Sequence, residues 1–123
     1  MSNKYYCVGV IIEKLRRKYR SLKGELHIVE LKRTTRGEKL GMDLIGDNSN
    51  LYVSNINNEG VVAQDGRIKI GDQILEVNGE ILHSQPVPNA SNILASINTN
   101  TIKVVIVRSV MYKNGAGVVS GYM

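Results

Sequence analysis

The chain has no tryptophan and no phenylalanine, one cysteine, two prolines and two histidines in 123 residues. Each scarcity excludes a class of protein. A lone cysteine, Cys7, cannot form a disulfide within the chain, so a disulfide-stapled scaffold is ruled out and a reducing compartment is expected. Nothing near Cys7 is arranged to activate its thiol, and it reads as a small buried hydrophobe rather than a nucleophile. With His27 and His83 as the only histidines, there is no Cys/His metal spacing and no H-E-x-x-H, and a phosphate-cradling P-loop is also missing. Neither a metal nor a cofactor is expected, and catalysis lacks its parts. No run approaches the ~18 uncharged apolar residues of a membrane span, and the N-terminus lacks the basic, apolar, small-residue order of a secretory signal. A soluble, cytoplasmic chain is expected. Forty-two per cent of the residues are hydrophobic; without Phe and Trp the core must come from Val, Ile, Leu and Met, which suits a small β-rich domain.

The formal net charge is +5, but it is unevenly placed. Residues 1–24 hold seven basic residues against Glu13 alone, a balance of +6, and the remainder holds nine basic against ten acidic, a balance of −1. The main body is nearly neutral, so nucleic acid is not favoured as its partner. In the leader, Val8, Ile11, Leu15, Tyr19 and Leu22 fall at steps of three and four, with Ile12 beside them. That is an amphipathic helix, with Gly24 placed to stop it. Three uses are open: packing on the domain, binding a helix-recognising partner of the calmodulin sort, or lying on an anionic membrane. In the last case Lys14, Arg16, Arg17, Lys18 and Arg20 would each contribute ~1 kcal/mol.

From Glu25 the period changes to two. Leu26 and Ile28 alternate with His27, Val29 and Leu31, as in a strand covered on both faces, and His27 reads as a satisfied strand histidine. In Arg36-Gly37-Glu38-Lys39-Leu40-Gly41-Met42-Asp43-Leu44-Ile45, a glycine stands between large apolar residues at the mouth of a short strand. Such a glycine lets successive N–H groups point one way and cradle an anion, and a strand with a free edge can accept another chain. A turn at Gly46–Asn50 leads to a strand over Leu51–Ile56, then to one or two helical turns at Val61–Gln64 ended by Asp65-Gly66. Ile68 and Ile70 are expected in the core. A strand over Ile74–Val77 meets Asn78-Gly79, a type I′ hairpin signal. Asp65 and Asp72 are turn residues rather than a catalytic pair. Gln85–Ile97 reads as the main helix, with Ala90, Ile93, Leu94 and Ile97 toward the core and Val87, Ser91 and Leu94 along the next stripe. Pro88 pushes Val87 away from the α region, so Val87 is expected to cap the helix rather than start it. Thr101–Arg108 is a near-continuously apolar, central strand. The tail from Ser109 to Met123 contains Gly115-x-Gly117, but no βαβ unit follows that could make it a dinucleotide site.

Leu40-Gly41-Met42, the turn Ala63-Gln64-Asp65-Gly66-Arg67-Ile68 and the run Gly71-Asp72-Gln73-Ile74-Leu75-Glu76-Val77-Asn78-Gly79 together resemble the PDZ family. Its members carry an x-Φ-G-Φ loop, a D-G-R-L-like turn and a G-D-x-I-L-x-V-N-G strand and hairpin. The resemblance covers residues 25–108, leaving a basic helical extension at 1–24 and a loose tail at 109–123. It implies an α+β, mainly β fold: a partly open six-stranded antiparallel β-sandwich or barrel capped by two helices, one short and one longer. It also implies a non-catalytic scaffold module that binds the extreme C-terminus of partners such as membrane receptors, channels or signalling proteins. The peptide would add as a strand between the second strand and the main helix. The amides of Leu40, Gly41 and Met42 would hold its carboxylate, with Arg36 or Arg33 assisting. Leu40, Met42, Leu44 and Leu94 would wall the pocket for its last side chain, with Asp43 and Ile45 further along the strand. At the Val87 position many members carry a histidine that accepts a Ser or Thr hydroxyl; valine implies hydrophobic-x-hydrophobic, or class II, ends. Ser91, one turn on, can still receive a hydroxyl. The competing function is binding of an anionic lipid surface or nucleic acid through residues 1–24, which would put the chain at the inner face of the plasma membrane.

Overall fold

The structure is a computed structural model, and it describes residues 4–35, 38–47 and 50–109. In chain order the elements are α1 (Lys4–Lys18), β1 (Glu25–Lys32), β2 (Met42–Asp47), β3 (Asn50–Ile56), α2 (Val61–Asp65), β4 (Gln73–Val77), β5 (Glu80–Ile81), α3 (Val87–Ala95) and β6 (Thr101–Arg108). The six strands form one antiparallel sheet in the order β1-β6-β4-β3-β2, with β5 paired to β4. This is the open, mainly-β architecture expected from the sequence, with the short and long helices of the domain and a third helix in the leader.

β6 is central, and its unbroken apolar run serves both faces of the sheet. Val104 and Ile106 face inward with Val29, Leu31, Val53 and Ile74, and this core is closed by Val61 and Val62 of α2 and Ala90 of α3. Val105 and Val107 face outward, where Leu75 joins them under Leu15 of α1 and Tyr19 just after it. α1 is thus a third layer. Its apolar stripe packs on the sheet, with Leu15 7% and Tyr19 4% exposed. Burying such side chains stabilises by ~1.5–3 kcal/mol each, which explains why an otherwise strongly basic helix lies here.

Polar groups fix this layer. An irregularity between Ile74 and Glu76 in the β4–β6 pairing leaves both Leu75 and the Glu76 carboxylate under α1. Tyr19 donates its hydroxyl to Glu76 Oε2 at 2.6 Å, and Lys18 Nζ donates to the same oxygen at 2.8 Å. Burial first, then the hydrogen bond and charge of Glu76, push the Tyr19 hydroxyl pKa well above the ordinary tyrosine value. The Tyr19 ring stands edge-on to His83 at 5.7 Å.

Four local expectations differ from the structure. α1 ends at Lys18, with one further turn closed by Leu22 N–H donating to Tyr19 O at 2.9 Å. Gly24 is therefore not its stop; with φ at +142°, it lets the chain pass directly over the Arg108 carbonyl, where a β-carbon would collide. Ile70 is 60% exposed, because the Asp72 carboxylate takes Lys69 N–H and Asp72 N–H bonds Lys69 O, a tight turn that swings residue 70 outward. His27 Nε2 is buried and makes no hydrogen bond among the described residues, although Glu25 Oε1 lies 3.4 Å away. α3 spans Val87–Ala95 with Pro86 at its N-cap, so Val87 is the first helical residue and not the cap. The side chains of Cys7 and Val87 lie outside what the structure describes.

The hairpin signal at Asn78-Gly79 appears as positive φ at both residues, 51° and 83°. Asp72, 1% exposed, receives Arg108 Nε at 2.9 Å and Nη2 at 2.8 Å besides Lys69 N–H. Asp65 holds Arg67 in the same forked way. Both acids serve turns. Among the described residues no helix is long and apolar enough to cross a membrane.

Candidate functional site

β2 lies at an edge of the sheet, and β3 is its only strand neighbour among the described residues. Its register decides what that edge offers. Met42 pairs with Ile56, and Asn57 N–H donates to Gly41 O at 2.7 Å. Met42–Ile56 is therefore a non-hydrogen-bonded pair, so the N–H and C=O of Met42 point away from β3. After a bulge, Leu44 pairs with Val53. Val53 donates its N–H to Asp72 O and accepts Gly71 N–H, so its backbone is spent on the side away from β2. Leu44 consequently turns its own N–H and C=O to the open edge. Two residues at period two present free backbone groups to solvent, which is the template for an added strand.

The loop before β2 is oriented just as definitely. Leu40 O accepts Val62 N–H at 2.9 Å, and Gly41 O accepts Asn57 N–H. In a trans peptide the N–H points opposite to the C=O. With both carbonyls turned inward, the N–H groups of Gly41 and Met42 face outward, and that of Leu40 meets no backbone acceptor among the described residues. Gly41 makes the bend possible with φ at +80°. Adjacent outward amides form a concavity suited to an anion.

α3 and the residues after it add apolar side chains to the same region of the core. Leu40, Met42 and Leu44 on one side and Ile93, Leu94 and Ile97 on the other are partly buried against the same core cluster. Their partial burial leaves apolar surface beside β2 and on α3 without emptying the core. Ser91 is exposed on α3. Asp43 and Ile45 are exposed on β2; Asp43 accepts Asn55 Nδ2 at 3.4 Å, and Ile45 is 58% exposed.

The two arginines expected near the carboxylate fare differently. Arg36 lies outside the described residues. Arg33 is turned to main-chain carbonyls: Nε donates to Thr99 O at 3.1 Å, Nη2 to Thr99 O and to Ile97 O at 3.4 Å, and Nη1 to Glu38 O at 3.3 Å. Glu38 folds the loop further, its carboxylate accepting Thr34 N–H at 2.8 Å and Thr34 Oγ1 at 3.0 Å. Those two bonds, aided by the Arg33 charge, hold its pKa below the usual glutamate value.

Of the leader's basic side chains, Lys14, Arg16, Arg17 and Arg20 are exposed, with Arg16 3.4 Å from Glu13. Lys18 is exposed as well, with its Nζ 2.8 Å from Glu76 Oε2. No group of three potential metal ligands occurs among the described residues.

Two contributors escaped the sequence. At Gly60 a β-carbon would lie 2.6 Å from Gly41 Cα and from Leu40 O. Glu76 is 9% exposed under α1. No local pattern marks either role.

A family model described as PDZ domain matches residues 29–107. The InaD-like protein of Rattus norvegicus is 39% identical over an alignment of 101 residues that covers 79% of this chain and 5% of that protein. The Multiple PDZ domain protein of Homo sapiens is 32% identical over 105 residues, 82% of this chain and 5% of that protein. The chain thus spans about 5% of the length of these relatives. The crystal structure of MUPP1 PDZ4 superposes with a TM-score of 0.78 at 21% identity, covering 88% of this chain and 96% of the other, and so shows a shared fold.

Proposed function

The chain belongs to the PDZ domain family, a family of non-catalytic interaction modules, and from that premise we propose that it binds the extreme C-termini of partner proteins as a strand added to β2. One observation carries this: the carbonyls of Leu40 and Gly41 are both satisfied inward, so the amides that follow them point outward at the end of an open strand edge. A terminal carboxylate fits the outward amides, the peptide backbone pairs with Met42 and Leu44, and its last side chain enters the apolar surface of Leu40, Met42, Leu44 and Leu94. An apolar side chain two residues earlier, opposite Val87, makes the preferred ends hydrophobic-x-hydrophobic. C-termini of membrane receptors, channels and signalling proteins are the partners this chemistry suits.

Charge-assisted hydrogen bonds are worth ~1.5–3 kcal/mol each. Amidating a peptide's C-terminus should therefore weaken binding at least about a hundredfold, or ~2.7 kcal/mol, in a fluorescence polarisation titration. Equal affinity for free-acid and amidated forms refutes the carboxylate site.

A second use of the leader rests on Lys14, Arg16, Arg17 and Arg20 being exposed. They can attract an anionic membrane surface and hold the module at the cytoplasmic face. Contact would be electrostatic only, because the apolar stripe that insertion needs is packed on the sheet. Sedimentation with anionic vesicles should then fall steeply with salt, and it should be lost from a chain beginning at Gly24.

A further inference from the structure

Arg33 sits where the sequence suggests a direct electrostatic partner for a carboxylate, yet its guanidinium is committed elsewhere. It follows β1, and its own N–H extends the β1–β6 pairing by donating to Asn100 O at 2.7 Å. All three guanidinium nitrogens donate to carbonyls: Nη1 to Glu38 O, Nη2 to Ile97 O and Thr99 O, and Nε to Thr99 O. Glu38 is two residues before Leu40, whose carbonyl orients the first outward amide. Ile97 is two residues after the end of α3 and packs, with Leu94, against the core. One rigid fork therefore ties the loop that presents the amides to the end of α3.

We propose that Arg33 is a positioning residue for ligand binding, setting the separation between the 38–41 loop and the C-terminal end of α3 by this carbonyl clamp rather than by attracting the ligand's charge. The inference rests on the proposed carboxylate site. The guanidinium's fixed planar donor set explains why arginine stands here. A lysine keeps the charge but offers a single ammonium that cannot span three carbonyls. A glutamine keeps donors but is too short and neutral.

The chemistry of the two possible roles predicts opposite behaviour. If Arg33 positions, Arg33→Lys and Arg33→Gln should both weaken a free-acid hydrophobic-x-hydrophobic peptide by about tenfold, and by the same factor at low and high salt. Hydrogen exchange at the Asn57 and Val62 amides of the ligand-free domain, which bond the Gly41 and Leu40 carbonyls, should rise in both variants, with the rest of the sheet protected as in wild type. If Arg33 acts through charge, Arg33→Lys should bind like wild type, and the loss in Arg33→Gln should shrink as salt rises; that pattern overturns the proposal. Unchanged affinity in both variants also overturns it. The exchange measurement needs no ligand, so it tests the clamp even if wild type fails to distinguish free-acid from amidated peptide, a result that would instead refute the carboxylate site.

Discussion

Gly41 and Gly60 meet backbone to backbone, with no space for a methyl group on either: a β-carbon on Gly41 would lie 2.7 Å from Gly60 Cα, and one on Gly60 would lie 2.6 Å from Gly41 Cα. The amide-presenting loop is thus held against the start of α2, whose Val62 N–H also takes Leu40 O.

Gly60 has an ordinary φ of −87°, so alanine there is strained only by this contact. Gly60→Ala should cost ~1–3 kcal/mol of stability, as overpacking does, and should weaken free-acid peptides in the fraction that still folds. Urea denaturation and fluorescence polarisation on the same sample check both effects. Wild-type values in both would mean that the loop relaxes freely.

The Tyr19 hydroxyl titrates at a higher pH in the folded chain than in the unfolded one. The folded state therefore keeps a proton that the unfolded state loses above about pH 10. Stability should be undiminished by this residue below pH 10 and should fall by ~1.4 kcal/mol per pH unit above it. Comparing urea denaturation of wild type and Tyr19→Phe at pH 9, 10 and 11 isolates this component, and the difference between them should narrow as pH rises. At neutral pH the substitution should cost ~1.5–3 kcal/mol and leave peptide affinity intact, because Tyr19 packs on a different core cluster from Leu40, Met42 and Leu44.

Asp72 is enclosed and depends on the forked Arg108 guanidinium, whose own pKa is raised by that bond. Arg108→Ala should strand the carboxylate at a cost of ~3 kcal/mol. Arg108→Ala combined with Asp72→Asn should recover part of it, because the leftover charge is gone. Denaturant midpoints of the two single variants and the double variant test the coupling; additive losses would contradict it.

The proposed ligand class rests on Val87. A buried hydroxyl with no partner forfeits ~1–3 kcal/mol, whereas a buried apolar side chain gains ~1.5–3 kcal/mol. A peptide with Val two residues before its end should bind about tenfold more tightly than its Thr twin, and Val87→His should reverse the order. Tighter binding of the Thr peptide to wild type would point to Ser91 receiving the hydroxyl.

Much of this molecule is local chemistry and was legible residue by residue. The alternation in β1, the apolar run of β6, Asn78-Gly79 and the Leu40-Gly41-Met42 loop each depend on neighbours a few positions away, because backbone angles and side-chain period are set at that range. The stripe from Ile11 to Leu22 established that the leader is an amphipathic helix. It could not say what the stripe covers, since sheet and bilayer ask for the same pattern. Only the tertiary structure decided that Leu15 and Tyr19 pack on Leu75, Val105 and Val107, that Ile70 turns outward, that Gly60 faces Gly41, and that Arg33 reaches the carbonyls of residues 97 and 99. Those partners come from strand order and packing across dozens of residues, and the geometry of a long-range contact leaves no periodic trace in the chain that makes it.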